Sequence, residues 1–193
     1  MKQKLLHKLN KRQGFSLTEM LATVLIMGFV GIIITTGAAT VQRVYRKVVA
    51  HANAQTALTT TITLMKDQLA FADPESVGNG SETGTGFGNS QTIVFKNLNS
   101  GEQTITLNPG TANRGFTLTY TTGDGTGTNS TSLPLLSDIA ITSDLCVCFD
   151  TDGGFTWDPT TKVITVTNLV AKDTRTDTVQ ARASFKVLLV NDK

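Results

Sequence analysis

A chain of 193 residues has room for one domain of ordinary size plus a tail or an anchor, and for little more. Its formal charge of +2 hides an asymmetry: five of the seventeen bases (Lys2, Lys4, Lys8, Lys11, Arg12) precede Gly14, leaving twelve bases against fifteen acids, a net of −3. Beyond Val48 there are nine bases and fourteen acids, so no basic stripe remains to hold nucleic acid, and none is expected as a direct partner.

Behind the basic leader lies an apolar run whose only charge between Phe15 and Val41 is Glu19. Phe15 to Gly37 is 23 residues, which as a helix spans about 35 Å against a hydrocarbon core of about 30 Å. The run is therefore expected to enter a membrane, with its basic end left in the cytoplasm and the rest of the chain outside. An acid at the centre of such a helix costs about 2.5–3.5 kcal/mol, and less near an interface, so intramembrane acids usually have a partner. For Glu19 two readings stand open: a carboxylate lying among headgroups, or one that meets a cation at depth.

The wording around that acid is specific. Lys11-Arg12-Gln13-Gly14-Phe15-Ser16-Leu17-Thr18-Glu19-Met20, after a short basic leader and before an apolar helix, resembles the cleavage and methylation signature of type IV prepilins and pseudopilins. The resemblance covers about the first 45 residues. It implies cleavage by a prepilin peptidase between Gly14 and Phe15, N-methylation of Phe15, and an assembly role for Glu19, which pairs with an N-terminal amine in the growing filament. It further implies a pilin-like fold, with other pilin or pseudopilin subunits and an inner-membrane assembly platform as partners. The location implied is the cytoplasmic membrane as a single-pass precursor, then a filament of the cell surface or envelope. Elementary chemistry is consistent with this. A cut at Gly14 exposes an amine of pKa near 8, mostly cationic at neutral pH. Phe15 and Glu19 stand at i and i+4, so the carboxylate can reach its own amine or, in a bundle, a neighbour's.

Gly28, Gly31, Thr35 and Ala38 recur at steps of three and four, a small-residue stripe of the kind that lets helices approach closely in lipid. A conventional secretory signal is the competing reading, with a signal-peptidase site near Gly37-Ala38-Ala39. Glu19 and the length of the run, beyond the usual 7–15 residues, stand against it. Helical periodicity continues through Val41, Val44, Val48, Ala52, Leu58, Ile62, Met65, Leu69 and Ala72, with Gln55 in the one gap. Arg43, Arg46 and Lys47 form a basic collar beyond the apolar run. Thr59-Thr60-Thr61 is poor helix material that packing must support, and Asp73-Pro74 ends the pattern.

The expected organisation is thus a leader over 1–14, a membrane helix over 15–39, its extramembrane half over 40–73, a flexible loop over 74–90 and a β-rich extracellular domain over 91–193. Within that domain, 92–98 and 102–107 flank Asn99-Ser100-Gly101 and predict a hairpin. Strands are also expected at 115–122, 162–169 and 180–190, with a second polar loop over 123–132. Thr-rich alternation suits antiparallel strands with one wet face. The fold class predicted is α+β, a long N-terminal helix packed on a C-terminal antiparallel sheet domain.

Cys146 and Cys148 stand two apart, where a strand projects both from one face at a separation awkward for a bridge. Two half-buried thiols, a strained local disulfide and a metal pair are the readings this spacing admits. Asp150-Thr151-Asp152-Gly153-Gly154, with Asp158, begins like a calcium loop but has Thr161 where an EF-hand requires Glu, so an Asp/Gly turn is expected and no metal site. No Ser/His/Asp or Cys/His constellation and no phosphate loop is present, so neither an enzyme nor a cofactor is expected. The functional expectation is a filament subunit, pilin or pseudopilin. The alternatives are a membrane-anchored extracellular binding domain that does not polymerise, and a secreted protein released by signal peptidase.

Overall fold

The structure is a computed structural model describing residues 15–80, 83–97, 103–109, 115–123, 128–136 and 145–190. The leader with Gly14 and the Asn99-Ser100-Gly101 turn lie outside the described residues. The chain divides into two compact units between Val48 and Val49.

In the first unit, helix α1 (Leu17–Ala70) begins behind Ser16 and continues without a Pro. Its threonines bond back to the preceding turn: the Thr23 hydroxyl donates to the Met20 carbonyl at 2.8 Å, Thr35 to Gly31 at 2.7 Å, Thr36 to Ile32 at 2.9 Å and Thr40 to Thr36 at 3.0 Å. Each hydroxyl is satisfied locally, as apolar surroundings require. The helix is long and apolar enough to cross a membrane, and none of its most apolar stretch is buried.

In the second unit α1 acquires a buried stripe: Ala54, Leu58, Thr61, Met65 and Leu69, at steps of three and four, with Ala57 beside it. Of the expected face, Leu58, Met65, Leu69 and Ala72 are buried and Ile62 is half-buried against the core, while Val41, Val44, Val48 and Ala52 are exposed and Thr61 is buried in addition. The periodicity fixes a face only to within a residue, and two alanines allow close approach there. The Thr59–Thr61 run is helical, with Thr61 buried against the core, and each hydroxyl donates to the carbonyl four residues back, at 2.8, 2.9 and 2.8 Å. Beyond the helix, the Val190 N–H donates to the Ala70 carbonyl at 3.0 Å and the Asp73 N–H to Lys96 at 2.9 Å. These bonds satisfy backbone groups that a helix end leaves orphaned. Pro74–Ser76 then forms one 3₁₀ turn capped by Asp73.

The strands are β1 (Phe87–Ser90), β2 (Ile93–Lys96), β3 (Thr104–Asn108), β4 (Thr117–Gly123), β5 (Thr128–Pro134), β6 (Leu145–Asp158), β7 (Val163–Asp173) and β8 (Thr178–Leu188). They form two four-stranded antiparallel sheets ordered β1-β6-β7-β8 and β2-β3-β4-β5. The layout is α+β. The hairpin expected around Asn99 is β2 on β3, with Ile93 opposite Leu107 and Phe95 opposite Ile105. One core joins α1 to both sheets through Met65, Leu69, Phe95, Leu107, Phe155, Ile164 and Leu169. Phe116, just ahead of β4, meets Phe149 edge-on at 5.0 Å, and Phe149 meets Phe155 at 5.1 Å, so aromatic edges join one sheet to the other.

Three expectations are corrected. The stretch 74–90, expected to be a bare loop, contributes Val77 and Phe87 to the core and ends in β1. The polar loop expected over 123–132 contains most of β5. That edge strand has almost no buried side chain to mark it and is held by its backbone ladder with β4 and a Thr119–Ser132 hydroxyl contact of 2.9 Å. Asp150–Gly154 is not a turn between strands but lies inside β6 as a bulge: Phe149 faces Leu169, and Gly154 already faces Thr167. Register also shifts in β1 at Asn89 and in β7 at Asn168, both with positive φ (37° and 51°). A row of bulges therefore crosses the sheet. In β7 the extra residue moves the inward set from Ile164 and Val166 to Leu169 and Ala171.

The row predicts a stability pattern. A Cβ at Gly154 would press on Asn89 and lie 2.8 Å from the Ser90 carbonyl, so Gly154→Ala is expected to destabilise despite changing no apolar contact. Phe155→Ala, truncating a side chain with no exposure, should cost about 3–5 kcal/mol. Leu133→Ala, half exposed on the edge strand, should stay within about 0.5 kcal/mol. Urea melts followed by circular dichroism on the detergent-solubilised chain rank the three.

Candidate functional site

Two places carry the residues singled out by the sequence. The first is the start of α1. Ser16-Leu17-Thr18-Glu19 has the spacing of a capping box, in which the Glu side chain would return to the backbone N–H of the cap. The box does not close. The Ser16 carbonyl accepts the N–H groups of Glu19 and Met20 at 3.0 and 3.1 Å, while its hydroxyl is 2.7 Å from that of Thr18. Among the described residues nothing donates to the Glu19 carboxylate, which stands exposed in the first turn. The helix dipole favours an acid there, and no cap occupies it. Ser16 and Thr18 were not singled out from the sequence, although the S-x-x-E spacing was the signal that could have found them.

At about 100° of rotation per residue, Glu19, Ala22 and Ile26 share one face of α1, and Phe15 lies just ahead of its first turn. Leu17, Met20, Leu21, Val24 and Leu25 line a shallow apolar surface about half a turn away. Gly28, Gly31, Thr35 and Ala38 prolong that second face. A methyl group built on Gly28 or Gly31 meets nothing within 4 Å, so no described part of the chain lies against the stripe. The first unit thus presents the acid on one side and a small-residue stripe on the other, neither contacted by any other described residue.

The second place is the Cys146–Cys148 pair on β6, whose members are thiols. Leu145 and Val147 belong to the common core, whereas Cys146 and Cys148 alternate with them onto the opposite face. Across the ladder Cys146 faces Lys172 and Cys148 faces Val170. Cys146 is 2% exposed and Cys148 half-buried. Hydrogen bonding from the Cys148 thiol, with help from the Gly115 N–H and the Lys172 ammonium, holds Cys146 down to about 6 against the penalty of burial. The same contact pushes Cys148 up, and burial adds to it. Physically the pair sheds a first proton easily and a second with difficulty. Lys172 is itself held protonated by Asp177, 3.4 Å away.

Of the acids in the Asp150–Asp158 stretch, Asp150 and Asp158 are engaged. Asp150 forms an ion pair with Arg182 of β8 and accepts the Thr151 N–H at 3.0 Å. Asp158 accepts the Thr161 hydroxyl at 2.7 Å and the Thr160 N–H at 3.0 Å, bonds that lower its pKa. Among the described residues no three His, Cys, Asp or Glu side chains converge as a metal site. No protein-family model matches the chain, and neither a curated protein nor a solved structure does.

A thiolate titration checks the electrostatics of the pair. Ultraviolet thiolate absorbance of the folded, reduced chain should rise with a midpoint near pH 6, set by Cys146. Cys146→Ala should move the remaining titration to alkaline pH. A wild-type midpoint in the ordinary thiol range would show that the two sulfurs do not share a proton.

Proposed function

We propose that the chain is a structural subunit, pilin or pseudopilin, of a type IV pilus-like filament. It is made as a single-pass membrane precursor, cut by a prepilin peptidase between Gly14 and Phe15, methylated on the new Phe15 amine, and assembled through α1. The observation that carries the reading is Glu19: a carboxylate that no described residue engages, at the start of an apolar helix that no described residue covers. A carboxylate in lipid needs a cation, and the amine freed at Phe15 is a cation at the same level of the helix. Within one subunit the two are a turn apart. Between two packed subunits the carboxylate of one meets the amine of the other, in surroundings where opposite charges attract far more strongly than in water.

The opposed faces of the first unit suit this arrangement. A helix in the middle of a bundle needs contacts on more than one side, and here one side supplies the charge and the other the close-packing surface of Gly28, Gly31, Thr35 and Ala38. Partners on this reading are other subunits, the peptidase and an inner-membrane assembly platform. The basic leader remains cytoplasmic and the β domain faces outward. The role is structural, without catalysis.

Two measurements test this. The N-terminal residue and mass of the protein from its own cells should be those of N-methyl-Phe15. A chain still starting at Met1 would mark a permanent anchor, and one starting near Ala39 a secreted protein. Glu19→Val should leave membrane insertion intact and remove the subunit from filaments. An unpaired buried amine costs about 3–5 kcal/mol, which takes incorporation down by well over tenfold. Undiminished incorporation of the Val variant would rule out the charge-pairing role.

A further inference from the structure

The face of β6 that carries the cysteines is used by nothing described so far. We propose that Cys146 and Cys148 form a two-coordinate site for a soft monovalent cation, copper(I), held between their sulfurs.

The pitch of the strand is the first argument. Cys146 and Cys148 lie in the regular part of β6, ahead of the bulge, with consecutive partners Lys172, Ala171 and Val170 for residues 146–148. Two residues of extended strand advance about 6.6 Å. A disulfide needs Cβ atoms about 3.8 Å apart, so closing one here would require the strand to buckle and its ladder to break. An ion between the sulfurs adds two metal–sulfur bonds to the span, and the pair can then close around it with β6 still extended.

The donor set is the second. Asp150, next on the same face, is held by Arg182 and by the Thr151 N–H. No third ligand converges among the described residues. Zinc requires four ligands in a structural site, and hard cations require several oxygens. Two thiolates alone suit a soft ion content with two ligands, and copper(I) is the one thiolates select.

Charge is the third. Two thiolates around a monovalent ion carry a net −1, and Lys172 stands directly across the ladder from Cys146. The Gly115 N–H reaches Cys146 as a further donor to sulfur. Access and shelter are divided between the two residues. Cys148 is half-buried and open to an incoming ion, while Cys146 at 2% and Val170 at 0% exposure keep water from the inner side. The site lies wholly within the second unit and stands whether or not the chain polymerises.

The experiment uses the full chain in detergent, reduced and kept anaerobic, titrated with copper(I) against a chromophoric copper(I) chelator. The expected result is one copper(I) per chain withdrawn from the chelator, with two sulfur neighbours by X-ray absorption. Cys148→Ser, at the half-buried position and least disruptive to folding, should abolish the withdrawal. Lys172→Gln, which keeps both sulfurs, should weaken it by about tenfold or more, the size of other outer-shell effects. The site is overturned if the Cys146→Ser/Cys148→Ser chain withdraws as much copper as the wild type, or if the metal has three or more sulfur neighbours. It is equally overturned if mass measurement shows the two cysteines already joined in the anaerobically prepared chain, or if Lys172→Gln leaves affinity unchanged.

Discussion

An apolar surface has to be covered by something, and in this chain the longest one is not covered by any described residue. From Phe15 to Val49 every residue is exposed, including Leu21, Val24, Ile33 and Val44. Beyond Ala54 the same helix buries a stripe of Ala, Leu and Met against two sheets. The difference is not one of helix propensity, since α1 is continuous through both stretches. It is one of surroundings. Exposed apolar area on this scale exceeds what a soluble monomer ordinarily leaves bare, and the helix is long and apolar enough to cross a membrane.

Against that requirement a single carboxylate acquires weight. Had Glu19 completed the capping box its spacing allows, it would belong to the local structure of the helix start and mean little. Instead the Ser16 hydroxyl turns to Thr18, and the acid is left with the favourable dipole but no hydrogen-bond donor among the described residues. A group so placed is stable in water and costly in hydrocarbon, and a neighbouring cation reverses that cost. The proposed assembly role follows from this imbalance more than from the apolar run, which an anchor or a signal segment would share.

What could be read in the sequence tracks how local the determining physics is. The long helix, its end at Asp73-Pro74 and the β2–β3 hairpin rest on period and turn chemistry, both written in adjacent residues. The buried face of α1 was placed to within one residue, because a period of 3.6 cannot choose between Thr61 and Ile62 until the sheets are in position. β5 was missed because an edge strand of Thr, Asn and Ser carries no alternation, and its ladder with β4 is a property of the partner. The Asp150–Gly154 bulge was taken for a turn for a similar reason. Asp and Gly mark a departure from regular backbone, but whether the chain reverses or continues is decided by β7, where Asn168 departs at the same level. At the candidate sites, Glu19 and the cysteine pair could be named from spacing. The open cap, and Lys172 and Gly115 beside Cys146, could not, since these are meetings of distant segments or choices between competing hydroxyls.

The threonines show why the first unit can be asked to live in two surroundings. In the sheets a threonine hydroxyl can contact a neighbouring strand, as Thr119 of β4 does with Ser132 of β5. In α1 the hydroxyls of Thr23, Thr35, Thr36 and Thr40 all donate to carbonyls three or four residues back. No internal polar group of that stretch then depends on water, lipid or a partner for its hydrogen bond. The proposed move of the helix from a bilayer into a bundle of its own kind would leave its backbone and hydroxyl bonds as they are. Only the cover on its side chains and the partner of Glu19 would change. On the proposed assembly, the energetic difference between the two states would rest on packing at Gly28 and Gly31 and on one ion pair, both of which a second subunit can supply and lipid tails cannot.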